Sequence, residues 1–216
     1  MRPLTKIIVV QQRLDVMKNP SYKGRLFVVS APSGAGKSTL CRQLVSRNKN
    51  LIFSISVTTR HPRPGEKDGK EYFFVSDAAF EAMRKRNEFL EYADVHGYYY
   101  GTPRHFVEEK RKAGIDVLLD IDVQGALAVK KMCPDAILIF ITTPTFKELE
   151  RRLRARLSET ESDIQRRLAD AREELRFMDR YEHHVVNDQV PEALKQLETI
   201  VLSESIRKRK KENMYV

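Results

Sequence analysis

The chain has little of what would mark several large classes of protein. Its two cysteines, Cys41 and Cys133, lie far apart in sequence. That excludes a disulfide scaffold and fits a reducing, cytoplasmic compartment. Cys41 falls on an expected helix, where a small buried hydrophobe is the ordinary role. No apolar run approaches the ~20 residues of a membrane span, so no membrane partner is expected. The N-terminal apolar run, Ile7 to Val10, is too short for a signal-peptide core. No internal repeat or low-complexity segment stands out. The five histidines show no metal-ligand spacing, and His183 and His184 would point to opposite faces of a strand. There is no convincing Ser/His/Asp set for nucleophilic catalysis.

What is present describes a globular chain. Apolar residues make up 41% and charged residues 32% of 216, enough for a real core in one compact unit. The net charge of +9 suits polyanions, either nucleic acid or small nucleotides. Charge alone does not choose between them.

The strongest local signal runs over residues 25–39, RLFVVSAPSGAGKST. A short apolar run, Leu26 to Val29, enters a glycine-bearing loop and then a helical LCRQLV segment. This is the strand–loop–helix order that a phosphate-binding loop requires. The loop is Ala31, Pro32, Ser33, Gly34, Ala35, Gly36, Lys37, Ser38 and then Thr39. Ala31 replaces the usual first glycine of G-x-x-x-x-G-K-[ST], which removes freedom for positive φ there. Gly34 and Gly36 let successive N–H groups converge on phosphate oxygens, and the following helix adds its positive end. Lys37 can reach the β- and γ-phosphates of ATP, and the Ser38 hydroxyl can ligate Mg²⁺.

The rest of the chain alternates strands and helices, which implies an α/β fold with a largely parallel sheet flanked by helices. Residues 1–24 form an extension. LIFSISV, 51–57, reads as one strand. The loop that follows carries Arg60 and Arg63, which are either solvated or a pair of forks for a phosphate dianion. Ser76 reads as an N-cap for a helix over 77–86, and two short strands flank Gly97. Thr102-Pro103 reads as the start of a helix to Lys112, stopped by Gly114. The stretch 54–100 has more strand and turn than helix and reads as an inserted small antiparallel subdomain.

Val117 to Asp122 is a buried parallel strand with acids at its carboxyl end. Asp120 reads as the acid near Mg²⁺; the rival reading is an N-cap for the next helix. Thr143-Pro144 opens a helix with Arg151, Arg152, Arg154 and Arg156. Thr160 to Asp163 fits a capping box that opens a helix over 161–178 with Arg166 and Arg167. These arginines are either a solvated face paired to Glu148, Glu150 and Glu161, or a lid that carries charge to phosphates. The phosphate loop favours the lid. A strand at 184–187 and a helix over 190–206 close the core, and RKRKK, 207–211, is a solvated basic tail.

Over about 25–205 the chain resembles guanylate kinase. The matching pieces are SAPSGAGKST, SVTTRHPRPGE, the segment Lys70-Glu71-Tyr72-Phe73, EFLEYADVHGYYYGT and LLDIDVQG, in that order. The resemblance implies a P-loop core (25–53, 101–144 and 176–205), a GMP-binding subdomain (54–100) and a helical lid (145–175). It implies transfer of the γ-phosphoryl group of MgATP to GMP, and to dGMP. By position, Arg60, Arg63, Tyr72 and Tyr100 match contacts to the GMP phosphate. Ser56, Glu91 and Thr102 match guanine contacts, and Asp122 a further acid of the GMP site. Arg152, Arg156 and Arg167 match lid arginines, and Asn187 a position near adenine. Ala155 and Leu157 stand where the family often has lid glycines. A homodimer stays open, and no specific nucleic acid is expected.

Three other functions compete. A non-catalytic guanylate-kinase-like module that binds proteins would share the fold, but here the phosphate machinery is complete. A sugar-phosphate kinase would lack Glu91, Tyr72 and Tyr100 together. A nucleic-acid binder is suggested by charge alone, with only RKRKK to touch polyanions.

Overall fold

The computed structural model describes residues 23–95, 97–155 and 160–213, the last six of them as backbone. Nine strands and seven α-helices are seen among the described residues. The main sheet is parallel throughout. Its strands are β1 (Leu26–Ser30), β2 (Leu51–Phe53), β7 (Asp116–Asp120), β8 (Ile137–Thr142) and β9 (His183–Val186), in the order β2-β7-β1-β8-β9. Every residue of β1 is buried, as a central strand covered on both faces must be. The chain leaves β1 toward β2 on one side and places β8 on the other. The carboxyl ends of β1 and β7 therefore border a switch point, where ligands of open α/β sheets bind.

One core layer joins α1 (Lys37–Arg47), α5 (Phe146–Arg154), α6 (Glu161–Leu175) and α7 (Val190–Asn213) to the sheet, through Leu40, Leu44, Leu149, Leu153, Leu168 and Leu197. The second holds α3 (Arg104–Lys112) and α4 (Val123–Met132) through Val107, Val123, Ala126 and Val129. The expected lid helices, α5 and α6, thus bury their apolar stripes in the main core.

The second sheet has the order β4-β3-β6-β5, with β3 (Val57–Thr58), β4 (Phe73–Phe74), β5 (Phe89–Val95) and β6 (Tyr98–Pro103). It is antiparallel as expected, except for the short parallel pair β3–β4. Helix α2 (Asp77–Lys85) covers it through Phe80, stacked on Phe89 with ring centroids 4.5 Å apart.

Several boundaries differ from the sequence reading. LIFSISV is two strands in two sheets. The Ser54 N–H donates to Leu118 O and ends the pairing with β7; Val57 and Thr58 then pair with Gly101 and Tyr100. Thr102 and Pro103 belong to β6, and the helix begins at Arg104 without a side-chain cap. The Thr102 hydroxyl is committed elsewhere, to Glu91. The cap of α5 is Thr145, whose Oγ1 accepts from the Glu148 N–H at 3.1 Å, and not Thr143. Helix α6 stops at Leu175, and a short 3-10 turn, Met178–Arg180, follows. Helix α7 continues through the basic run to Asn213, since no glycine or proline interrupts it. The extension before Lys23 lies outside the described residues.

Candidate active site

Glycine alone supplies the positive φ that the phosphate loop needs, at Gly34 (93°) and Gly36 (86°). Ala31 keeps negative φ and is buried, so the substitution of the usual first glycine leaves the turn intact. The turn closes through Ala35 N–H to Pro32 O at 3.1 Å. Ser33 is half-buried, and Thr39 is exposed.

Lys37 and Ser38 open α1 at the end of β1 and face Asp120 at the end of β7. Lys37 Nζ lies 2.8 Å from Asp120 Oδ1 and donates to Ile121 O at 2.8 Å. Ser38 Oγ donates to Asp120 Oδ2 at 3.3 Å. Burial pushes the Lys37 ammonium down. The charge and hydrogen bond of Asp120 more than offset that, so the group stays protonated. Asp120 is therefore not the helix cap. That role falls to Asp122, whose Oδ1 accepts from Gly125 N–H at 2.7 Å. The backbone O of Asp122 also accepts from Ser30 Oγ at 3.2 Å, which ties the α4 start to the end of β1.

Three segments distant in sequence close on this loop. Asn187, beyond β9, donates from Nδ2 to Ala35 O at 2.7 Å. A Cβ on Gly36 would lie 2.4 Å from that nitrogen, so Gly36 also makes room for the clamp. From α6, Arg167 donates to Ser33 Oγ at 3.1 Å. From α5, Leu153 lies under Gly34, 3.0 Å from where a Cβ would be. Arg152 is bound to Glu148 Oε1 at 2.7 Å and reaches the Asp188 carbonyl at 3.2 Å. Arg151 and Arg154 form the surface pairs that the plainer reading expected, with Glu148 and with Glu150 and Glu161; Arg166 pairs with Asp163. Arg156 lies outside the described residues, as does Leu157.

The small sheet contributes a second set. Arg60 donates to Tyr100 Oη at 3.1 Å and to Glu66 Oε1 at 2.9 Å, with its guanidinium over the Tyr72 ring. Pro64-Gly65 forms the turn that brings Glu66 back: Gly65 has φ 89°, and Glu66 N–H returns to Arg63 O at 3.0 Å. Of Arg63, the backbone N–H is held by Glu66, at 2.7 Å. Ser56 is half-buried between the two sheets. Tyr72 sits between the two sets of residues. Burial first, and then the Asp120 charge, raise its phenol, while Lys37 opposes them.

Glu91 and Thr102 face each other across β5 and β6. Both are buried, and Thr102 Oγ1 donates to Glu91 Oε1 at 2.6 Å. Sequence reasoning missed Glu174 on α6. It lies seven residues after Arg167, two helical turns along the same face, a spacing visible in the sequence. Its carboxyl is pushed up to about 7, by burial first; Lys37 opposes, Asp122 and Asp170 add, and a hydrogen bond from the Ser33 backbone opposes. Glu66 was missed as well, although its place after Pro-Gly marks a turn.

A family model described as guanylate kinase matches residues 23–204. The chain belongs to the guanylate kinase family. It is 49% identical over 178 residues to a guanylate kinase of Dechloromonas aromatica, covering 82% of this chain and 88% of that one. It is 44% identical over 194 residues to one from Caldanaerobacter subterraneus subsp. tengcongensis, covering 90% and 94%. Its structure is similar to the crystal structure of guanylate kinase from Anaplasma phagocytophilum, with TM-score 0.72 and 33% identity over 86% of this chain and 88% of that one.

In this guanylate kinase Glu91 has an unusual titration. Burial, and then the Asp122 charge, lift its carboxyl from the usual 4.5 to about 7, although the Thr102 hydrogen bond opposes them. Raising an acid in the folded state means that the folded chain holds more protons than the unfolded chain between those values. The associated stability is present below pH 4.5 and is lost as pH rises through about 7, and amounts to at most ~3 kcal/mol. Glu91→Gln is therefore expected to raise the Tm above wild type at pH 8 and to leave it nearly unchanged at pH 4.5. Thermal melts across that range check this; a variant less stable at pH 8 refutes the strained carboxylate.

Proposed function

We propose that this guanylate kinase, which transfers the γ-phosphoryl group of ATP to GMP to give ADP and GDP, works with Lys37, Arg152, Arg156 and Arg167 around the transferring group. The phosphate loop, Ala31 to Thr39, holds ATP by its backbone N–H groups, with Asn187 clamping the loop. Arg60, Arg63, Tyr72 and Tyr100 hold the GMP phosphate. Ser56, Glu91 and Thr102 read guanine, with Asp122 beside them. Segments 54–100 and 145–175 serve as acceptor subdomain and lid.

The observation that carries this reading is the adjacency of the two sets. Asp122 is tied to the end of β1, and its charge acts on both Glu91 and Glu174, while Lys37 acts on Glu174 and Tyr72. A buried carboxylate with a hydroxyl partner thus sits one residue cluster away from a phosphate loop. Phosphoryl transfer needs positioning and charge neutralisation more than a covalent residue, and the cluster offers both.

Ser38 Oγ and Asp120 are hard oxygen donors 3.3 Å apart, which fits Mg²⁺ with its other ligands taken from phosphate and water. Bound there, Mg²⁺ would neutralise phosphate charge. Among the described residues no cluster of three His, Cys, Asp or Glu side chains offers a protein-only cage, and no helix is long and apolar enough to cross a membrane. The enzyme proposed here acts on nucleotides in the cytoplasm.

ADP release with ATP plus GMP, dGMP, AMP, UMP or CMP tests the assignment. Turnover is expected with GMP and dGMP. Absence of turnover with any acceptor would return the chain to a binding module.

A further inference from the structure

Gly125 is the third residue of α4 and has ordinary helical φ, so no backbone demand explains a glycine there. The space that its missing side chain leaves is filled mainly by Glu91, with Ile121 Cδ1 at its edge, 3.3 Å from where a Cβ would be. A Cβ built on Gly125 would lie 2.9 Å from Glu91 Oε2 and 3.3 Å from its Cδ. We propose that Gly125 is a specificity-determining position of this kinase: the bare Cα seats the Glu91 carboxylate at the height and angle at which its two oxygens meet a guanine edge. The proposal rests on Glu91 as the guanine reader.

The carboxylate is held from two sides. Thr102 Oγ1 grips Oε1 at 2.6 Å, and Oε2 rests over Gly125. An added methyl must displace one partner, and packing decides which. Helix α4 is fixed by the Asp122 cap at 2.7 Å and by buried Val123, Ala126 and Val129. The Glu91 side chain is fixed at its far end through one residue, Thr102, by its hydroxyl and its backbone. The carboxylate therefore gives way and α4 stays. Its shift opens one of the two hydrogen bonds to the N1–H and 2-amino donors of guanine.

The test is the Gly125→Ala variant, measured beside Glu91→Gln. Alanine outranks glycine in a helix, so the Tm should hold or rise. The GMP kcat/KM should fall ~10–100-fold through KM, the loss expected for one charge-assisted hydrogen bond, with the ATP KM within about twofold. The preference for GMP over IMP, which lacks the 2-amino group, should shrink by a similar factor. Glu91→Asp withdraws the carboxylate by one methylene and removes the contact, so Gly125→Ala should cost far less in that background.

Equal costs in the two backgrounds would show that Gly125 does not act through Glu91, and would overturn the proposal. So would a lowered Tm that Glu91→Asp does not relieve, which would make the glycine a backbone requirement. If Glu91→Gln impairs GMP use and Gly125→Ala does not, the inference fails while the guanine reader stands. If Glu91→Gln has no effect either, the reading of Glu91 itself has failed.

Discussion

Lys37→Ala should cut kcat by roughly 10²–10³, the loss typical of one preorganised electrostatic group in an active site, while the protein still folds. The ammonium sits at the joint of β1 and β7, 2.8 Å from both Asp120 Oδ1 and the Ile121 carbonyl. In the proposed complex that positive charge is aimed at the β- and γ-phosphates of ATP. Deleting it removes stabilisation that grows as charge moves toward the leaving group, so kcat falls and not KM alone. Folding should survive because the Lys37 and Asp120 side chains keep 20% and 26% exposure, and a freed Asp120 can be hydrated. Steady-state kinetics with a circular-dichroism melt decide it. Near-normal kcat in a folded variant would remove Lys37 from the chemistry.

The largest effect is expected in base choice. Guanine presents N1–H and its 2-amino group side by side, and the two oxygens of an ionised carboxylate match them. Adenine would turn the N1 lone pair toward Glu91 and leave the buried carboxylate with no partner beyond Thr102. Sites built on such pairing reject the wrong ligand by roughly 10⁴-fold. AMP should therefore be a poorer acceptor than GMP by about that factor. The Ser56 hydroxyl can donate or accept, and the Thr102 hydroxyl, whose proton goes to Glu91, can still accept, so they add preference and not the main rejection. No residue assigned here reads the 2′-hydroxyl, so dGMP should be used. Glu91→Gln should lower the GMP kcat/KM sharply, because the amide turns one acceptor into a donor that faces a guanine donor. Comparable kcat/KM for GMP and AMP in the wild type would refute Glu91 as the reader.

The same carboxylate predicts a pH profile. In the proposed pairing guanine meets the ionised form, and burial raises the Glu91 carboxyl to about 7. The GMP KM should rise as pH falls below that value, and the rise should be absent in Glu91→Gln. The variant that loses GMP use is also the one expected to gain stability at pH 8. That pairing of outcomes is what a charge held at a cost to stability for recognition predicts.

The sequence by itself determined what local rules control. An apolar run, two glycines that need positive φ, and a helix-opening Lys-Ser produce the phosphate loop within fifteen residues. Ser76 and Thr160 cap their helices as expected, because capping involves groups only three residues apart. The alternation of strands and helices implies the parallel sheet. Only the tertiary structure decided the pairings that span long separations. Thr102 could cap a helix or meet a carboxylate, and the register of β5 against β6 settled it by setting Thr102 opposite Glu91. Asp120 could meet Mg²⁺ or cap the next helix; the position of β7 beside β1 gave Asp120 to Lys37, and the cap of α4 fell to Asp122. The α5 and α6 arginines look alike in sequence, yet Arg167 reaches Ser33 while Arg151, Arg154 and Arg166 pair with acids on their own helices or the adjoining one. Glu174 joins the site only because the apolar stripe of α6 is buried in the main core, which turns that helix face toward Ser33. Local backbone chemistry reaches a few residues along the chain; which side chains converge depends on strand order and on which helix face the core buries.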